Sequence, residues 1–290
     1  MKVSGFTFIK NALIYDYPVV EAIQSILPVC DEVVVAVGKS DDNTLQLINS
    51  IDKSKVRIIE TIWDESQRKG GRVLALETDK AFAAISPDSD WAFYIQGDEA
   101  VHEKYLNPIY EGMKKHKEDK RVDGLLFKYL HFYGSYDYVG DSSKWYSNEI
   151  RVIRNDKSFY SFRDAQGFRK GNEELLKVKS LDACIYHYGW VKEPVAMQRK
   201  QENFNKYWHE DEWLEKNVAK AEEFDYNTNL SRLTRFGGTH PKVMEKRINA
   251  KNWKFDYDIS FNRTTGKERI KSFLKNYVGI DTSYKNYKII

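Results

Sequence analysis

Cysteine is scarce in this 290-residue chain. There are two, Cys30 and Cys184, far apart in otherwise apolar stretches, with no CxxC or Cys/His spacing around either. That excludes a disulfide scaffold and a zinc finger and leaves two reduced, packed thiols. Long apolar runs are missing too. No segment reaches the length that spans a bilayer, and the opening "MKVSGFTFIKNALIYDYP" has neither the uninterrupted apolar stretch nor the small-residue cleavage site of a signal peptide. The expectation is a cytoplasmic protein. Charge of one sign is lacking as well: 46 Lys and Arg against 43 Asp and Glu give a formal +3, so the footprint of a dedicated nucleic-acid binder is absent. Neither an internal repeat nor a low-complexity linker interrupts the chain, which favours one composite domain.

What basic excess there is collects at the C-terminus, where residues 240–290 carry 12 Lys or Arg against 5 Asp or Glu. There "KERIKSFLKNYVGI" reads as a basic amphipathic helix, suited to packing on its own domain or to peripheral contact with an anionic membrane, here the inner face. Aromatics are plentiful at 14%, with 19 Tyr and 7 Trp, enough for a bulky core or for a surface that stacks on sugar-like ligands.

The first hundred residues alternate strand and helix signals. "KVSGFTFI", "DEVVVAVG", "KVRIIETIW" and "DWAFYIQ" are apolar strand runs, and "YPVVEAIQSIL", "DNTLQLINSI" and "RVLALETDKAFAAI" between them have helical spacing. The pattern predicts an α/β protein with a parallel sheet covered by helices on both faces. Past residue 120, short aromatic strands ("DGLLFKYLHFYGSYDY", "NEIRVIRN", "SFYSF", "DACIYHYGWV") predict antiparallel additions to the same sheet. A charged helical segment follows from Pro194. These shifts divide the chain into residues 1–120, 121–192 and 193–240 of one domain, then a C-terminal helix and basic tail over 241–290.

In such sheets ligands bind beyond the C-terminal ends of the strands, which brings "IKNA", "VGKSDD", "ETIWDESQRKGG" and "QGDE" around one crevice. Asp98 and Glu99 end the fourth strand there, placed either to hold a hard divalent cation or to cap a turn. Ser40, Asp42 and Thr44 suit a ligand loop or an ordinary helix cap. Arg68, Lys69 and Arg72 flank Gly70-Gly71 at a helix start, an anion site or a solvated loop, with Arg72 preferred as the functional member. His187, in "YHYGWV", is a packed core residue or a ligand, with Gly189 allowing close backbone approach.

The order "SGFTFIKNA", "EAIQSILPVCDEVVVAVGKSDDNT", "KGGRVLALETDKAF" and "DWAFYIQGDE" resembles the nucleotide-binding half of family-2-type glycosyltransferases, which have the GT-A fold, a Rossmann-like mixed sheet. The likeness covers roughly residues 3–190. It implies transfer of a sugar from a nucleotide-diphosphate donor to a hydroxyl acceptor, inverting and assisted by Mn²⁺ or Mg²⁺. "QGDE" stands where that family has its D-x-D motif, so the resemblance implies a metal at Asp98, Glu99 and His187. Phe8, Lys10, Asn11, Gly38, Ser40, Arg72, Gln96 and Gly97 would face the donor. The family's "DDGSTDNT" corresponds here to "VGKSDDNT", where Val37 and Gly38 replace the acids that contact the base. The region "EIRVIRNDKSFYSFRDAQGF" resembles the one that supplies the catalytic base, with Asp164 preferred and Glu149 in reserve. Implied acceptors are a glycan, a lipid-linked sugar or a growing polysaccharide. Two other readings remain at this level: a catalytically silent sugar or nucleotide binder on the same fold, and a nucleotidyltransferase, whose glycine-rich loop after the first strand is missing from "FIKNALIYDYP".

Overall fold

The computed structural model describes residues 1–142, 145–209, 211–217, 221–228, 230, 232–261, 265–266, 270 and 285–290. The expected helix over 267–280 lies almost wholly outside them. The N-terminal half alternates as expected: β1 (Val3–Ile9), α1 (Val19–Ile26), β2 (Glu32–Gly38), α2 (Thr44–Asn49), β3 (Val56–Thr61), α3 (Arg72–Ala84) and β4 (Trp91–Tyr94). Strands β1, β2, β3 and β4 are mutually parallel, in the order β3-β2-β1-β4.

These strands read as continuous apolar runs because both of their faces are covered. Alternate residues of β2 and β4 go to opposite layers. Val33, Val35, Trp91 and Phe93 pack in the core with α1, whereas Val34, Ala36, Ala92 and Tyr94 pack with α3. Helix α1 presents Val19, Ala22, Ile23 and Ile26, one face at helical spacing.

The fourth strand ends two residues before the predicted Gln96. After a turn at 95–98 the chain enters a separate short strand, β5 (Glu99–Val101), and then α4 (Leu106–His116). Beyond α4 come β6 (Gly124–Tyr133), β7 (Tyr138–Gly140), β8 (Asn148–Arg154), β9 (Phe159–Phe162), β10 (Gly167–Lys170), β11 (Glu174–Leu175) and β12 (Lys177–Trp190). Strand β8 is antiparallel to both β4 and β6 and joins the two halves of the sheet. The 14-residue β12 runs parallel to β6 and antiparallel to β5, so the additions are mixed in direction rather than purely antiparallel. Strands β9, β10 and β11 form a small antiparallel sheet of their own.

The helical segment begins with α5 (Pro194–Lys206), whose proline sits at the start where a missing N–H costs nothing, and continues in α6 (Asp211–Asn217). Strand β13 (Leu233–Arg235), α7 (Glu245–Asn249) and β14 (Lys288–Ile289) complete the described elements, with β14 pairing along the start of β12.

Candidate active site

A cleft of about 260 Å³ opens beyond the C-terminal ends of β1 and β4, where an open α/β sheet places its ligand. The sequence candidates Phe8, Lys10, Gln96, Gly97, Asp98, Asp164 and His187 all line it. Trp63, Arg151, Lys200 and Tyr207 line it as well, and sequence reasoning named none of these as site residues.

Asp98 occupies the turn between β4 and β5, and its backbone C=O accepts the Tyr188 N–H at 2.7 Å, which ties the turn to β12. Its side chain meets two partners. Lys200 Nζ lies 3.0 Å from Oδ2, and His187 Nε2 lies 3.7 Å from Oδ1. Burial opposes ionisation of this carboxyl, yet the neighbouring ammonium of Lys200 above all holds it well below the usual carboxylate range. Gly189 makes the approach feasible: a Cβ there would lie 2.5 Å from His187 Nε2 and 2.7 Å from Asp98 Oδ2.

His187 is oriented from behind. His131 Nε2 donates to the Tyr146 C=O at 3.0 Å, so His131 Nδ1 accepts from His187 Nδ1 at 3.3 Å, and the Nε2 lone pair of His187 is left facing Asp98. Burial lowers the pKa of His187 despite the neighbouring Asp98, so its contact with Asp98 is that of a neutral imidazole.

Glu99 does not join Asp98. It is fully buried, and its carboxylate accepts from Arg151 Nε at 2.9 Å, from Arg151 Nη2 at 2.6 Å, from the Gln96 N–H at 3.0 Å and from the Tyr129 hydroxyl. With both oxygens engaged, this carboxylate completes a buried ion pair and is not free to ligate a metal. Glu149, the reserve base, does not line the cleft; it lies 3.6 Å from Arg151, and burial pushes its pKa up to about 8 against the pull of that guanidinium.

Asp164 does line the cleft, and burial raises its pKa above the ordinary carboxylate value. It is held between Arg163 at φ 56° and Ala165 at φ 63°, and its Cβ packs so close to Gly71 that a side chain there would collide with it. Gly71 itself has φ 73°, so this contact needs glycine twice over.

Other expected donor contacts have structural duties. Ser40 Oγ accepts the Asn11 N–H at 3.0 Å, and the Asn11 amide exchanges hydrogen bonds with Asp41 at 3.0 and 2.8 Å. Asp42 accepts from the N–H groups of Leu13, Ile14 and Thr44, each at 2.9 Å. Together they fasten the loop after β1 to the loop after β2, outside the cleft lining. Arg72 is exposed at the start of α3 and also stands outside the lining. Gly38 is buried under the Trp63 indole, which occupies the space a side chain would need. The second-strand acids of the resembled family are thus replaced by an aromatic surface, in which Trp63 lies 5.8 Å from Phe8 and 5.3 Å from Tyr207, with Lys10 Nζ 5.5 Å from the indole.

The expected Mn²⁺ or Mg²⁺ can be tested against these donors. Asp98 and His187 converge, but Glu99 is committed to Arg151, Gln96 stands in place of the first acid, and an ammonium already holds Oδ2 of Asp98. Among the described residues no group of three or more His, Cys, Asp or Glu side chains is arranged to hold a metal ion. A divalent ion at Asp98 would face Lys200; unit charges 4 Å apart repel by about 4 kcal/mol at an effective dielectric constant of about 20, and a doubly charged ion by about twice that. This donor set does not make a divalent-cation site.

No protein-family profile matches the chain. A curated relative, an uncharacterized glycosyltransferase of Rickettsia typhi, is 23% identical over 196 residues, which cover 64% of this chain and 60% of the relative. The chain is thus similar to a glycosyltransferase over less than two thirds of that relative's length. Solved structures with partial overlays include Staphylococcus aureus TarS (residues 1–349, bound to UDP-GlcNAc; 14% identity, TM-score 0.42, covering 77% of this chain and 68% of that one). Another is glucosyl-3-phosphoglycerate synthase of Mycobacterium tuberculosis with Mn²⁺ and UDP (19% identity, TM-score 0.30, 45% of this chain and 43% of that one). The acidic turn after β4 offers Asp98 alone to the cleft, and the cation beside it is a lysine. The sequence offered no way to single out Lys200: it sits in "MQRKQEN", where its charge looks like any solvated helix face. Trp63 had a signal, since its loop was already assigned to the crevice.

Proposed function

We propose that this chain transfers a sugar from a nucleoside-diphosphate donor to a hydroxyl acceptor with inversion at the anomeric carbon. The observation that carries the reading is the convergence, in one cleft at the strand ends, of a cation-paired Asp98 with a half-buried Asp164 whose pKa is raised. Phe8, Trp63 and Tyr207 form the platform on which a nucleobase stacks, in place of the acids absent from 37–38. Asp164 takes the proton of the acceptor hydroxyl while that oxygen attacks the anomeric carbon from the face opposite the departing diphosphate. A raised pKa brings a carboxylate nearer the operating pH, which favours general-base work. Tyr146 and Trp190, also in the lining, offer flat faces to an acceptor glycan or lipid-linked sugar. The basic C-terminal residues are suited to bringing the protein to an anionic membrane that holds such an acceptor. No helix among the described residues is long and apolar enough to cross one.

The test is a panel of UDP-, GDP-, CMP- and dTDP-sugars, scored first by thermal shift and then by sugar release or transfer. Asp164→Asn should leave donor binding intact and lower turnover by about 10²- to 10⁴-fold, the usual contribution of a general base. A variant with undiminished turnover would remove Asp164 from the mechanism.

A further inference from the structure

Lys200 is 8% exposed, yet its ammonium lines the cleft. Two acceptors hold it, Asp98 Oδ2 at 3.0 Å and the Gly189 C=O at 2.9 Å. An ammonium has three donors, so one is left over. The Tyr17 ring lies 5.0 Å from Lys200 Nζ and 4.8 Å from Lys192 Nζ, and Lys192 in turn donates to the Asp16 C=O. Lys10 stands in the same lining beside Trp63. Lys192 lies behind the lining, so Lys10 and Lys200 are the lysines that face the cleft. Of the nearby acids, Glu99 is neutralised by Arg151 and the buried Glu149 also leans on that guanidinium, which leaves Asp98 and Asp164 as the carboxylates of the lining. The cleft therefore sets an ammonium, anchored by Asp98, where a divalent cation would need further carboxylates, an arrangement that suits an anion.

We propose that Lys200 is the resident cation of the donor site, anchored by Asp98, and that it binds the donor's diphosphate and stabilises it on departure without a divalent ion. The inference rests on the glycosyl-transfer reading above. In the transfer step the acceptor oxygen bonds to the anomeric carbon as the bond from that carbon to the β-phosphate oxygen breaks. The electron pair of the broken bond stays on that oxygen, where the added negative charge meets the ammonium of Lys200. The acceptor proton passes to Asp164, and glycoside and nucleoside diphosphate are the products. Lys200 acts by charge and hydrogen bonding and takes no part in proton transfer.

The experiment titrates the full-length chain with UDP, GDP, CDP and dTDP by calorimetry, first in EDTA and then in MnCl₂. At least one nucleotide should bind in EDTA, with an affinity within about threefold of that in Mn²⁺, and Lys200→Gln should weaken it by about ten- to a hundredfold, the worth of a hydrogen bond to a charged group. Lys200→Arg, which keeps the charge, should retain most of the affinity. Because Lys200→Gln leaves Asp98 buried without its counterion, the double variant Asp98→Asn/Lys200→Gln serves as the folding control: it should melt near the parent temperature and still lose binding. Binding that appears only with Mn²⁺ and is indifferent to Lys200→Gln would overturn this role while leaving glycosyl transfer standing. Failure of every nucleoside diphosphate and sugar nucleotide to bind under either condition would overturn both.

Discussion

Residue by residue, the cleft separates charges that look alike in sequence. Asp98 and Glu99 are neighbours, but consecutive residues entering a strand point to opposite sides, and each finds its own cation, Lys200 for one and Arg151 for the other. Glu149 lies near the same guanidinium, which Glu99 already holds at 2.6 Å, and burial leaves it protonated at neutral pH. Its pKa rises on folding from an ordinary 4.5 to about 8, so between those values the folded state binds the extra proton. Stability is then fullest below the lower value and falls as pH rises through the window, by at most about 1.4 kcal/mol per pH unit for this one group. Glu149→Gln should flatten that part of the profile. The check is the difference in melting temperature between the two proteins from pH 5 to pH 9; parallel profiles would show that Glu149 is not the group responsible.

At the level of elements, the strand-helix alternation was readable because β1, β2 and β4 are buried on both faces and leave continuous apolar runs. The end of β4 was readable to within two residues, and with it the placement of Asp98. What the sequence could not tell was the fate of each charge, since that depends on partners far along the chain. Arg151 lies 52 residues from Glu99, and Lys200 lies 102 from Asp98. Helix α5 gives no local sign that Met197 and Lys200, three apart on one face, are both buried. One glycine is decisive for how β5 and β12 meet. Gly189→Ala would push a methyl group against His187 and Asp98, and a displacement near 1 Å at reacting groups costs about a hundredfold in kcat/KM. Steady-state kinetics of this variant should show that loss; wild-type rates would mean that the Asp98–His187 approach does not matter to turnover.

Over the whole molecule, described residues after 240 are tied to the rest of the fold. Arg247 pairs with Asp16 at 2.6 Å and Glu21 at 3.0 Å, Trp253 Nε1 donates to the Gly134 C=O at 2.8 Å, and Met244 is fully buried against β12 aromatics. Asp16 lies in the loop after β1 and its backbone carbonyl holds Lys192, so the C-terminal segment also braces one wall of the cleft. A chain ending at His240 should therefore melt about 10 °C lower or more, by the usual conversion of a few kcal/mol in a protein of this size. Differential scanning fluorimetry of the truncated protein would show this, and an unchanged transition would make the segment dispensable.

Strand β12 carries a last consequence. Ala183, Ile185 and His187 point to one side of it, while Cys184, Tyr186 and Tyr188 point to the other, where they pack with Phe132 and Met244. A single inserted or deleted residue between Cys184 and His187 would exchange the two sides, bringing a tyrosine phenol to the place where the imidazole now faces Asp98. Many substitutions along this stretch are compatible with the strand itself; a change in its length is not compatible with the cleft.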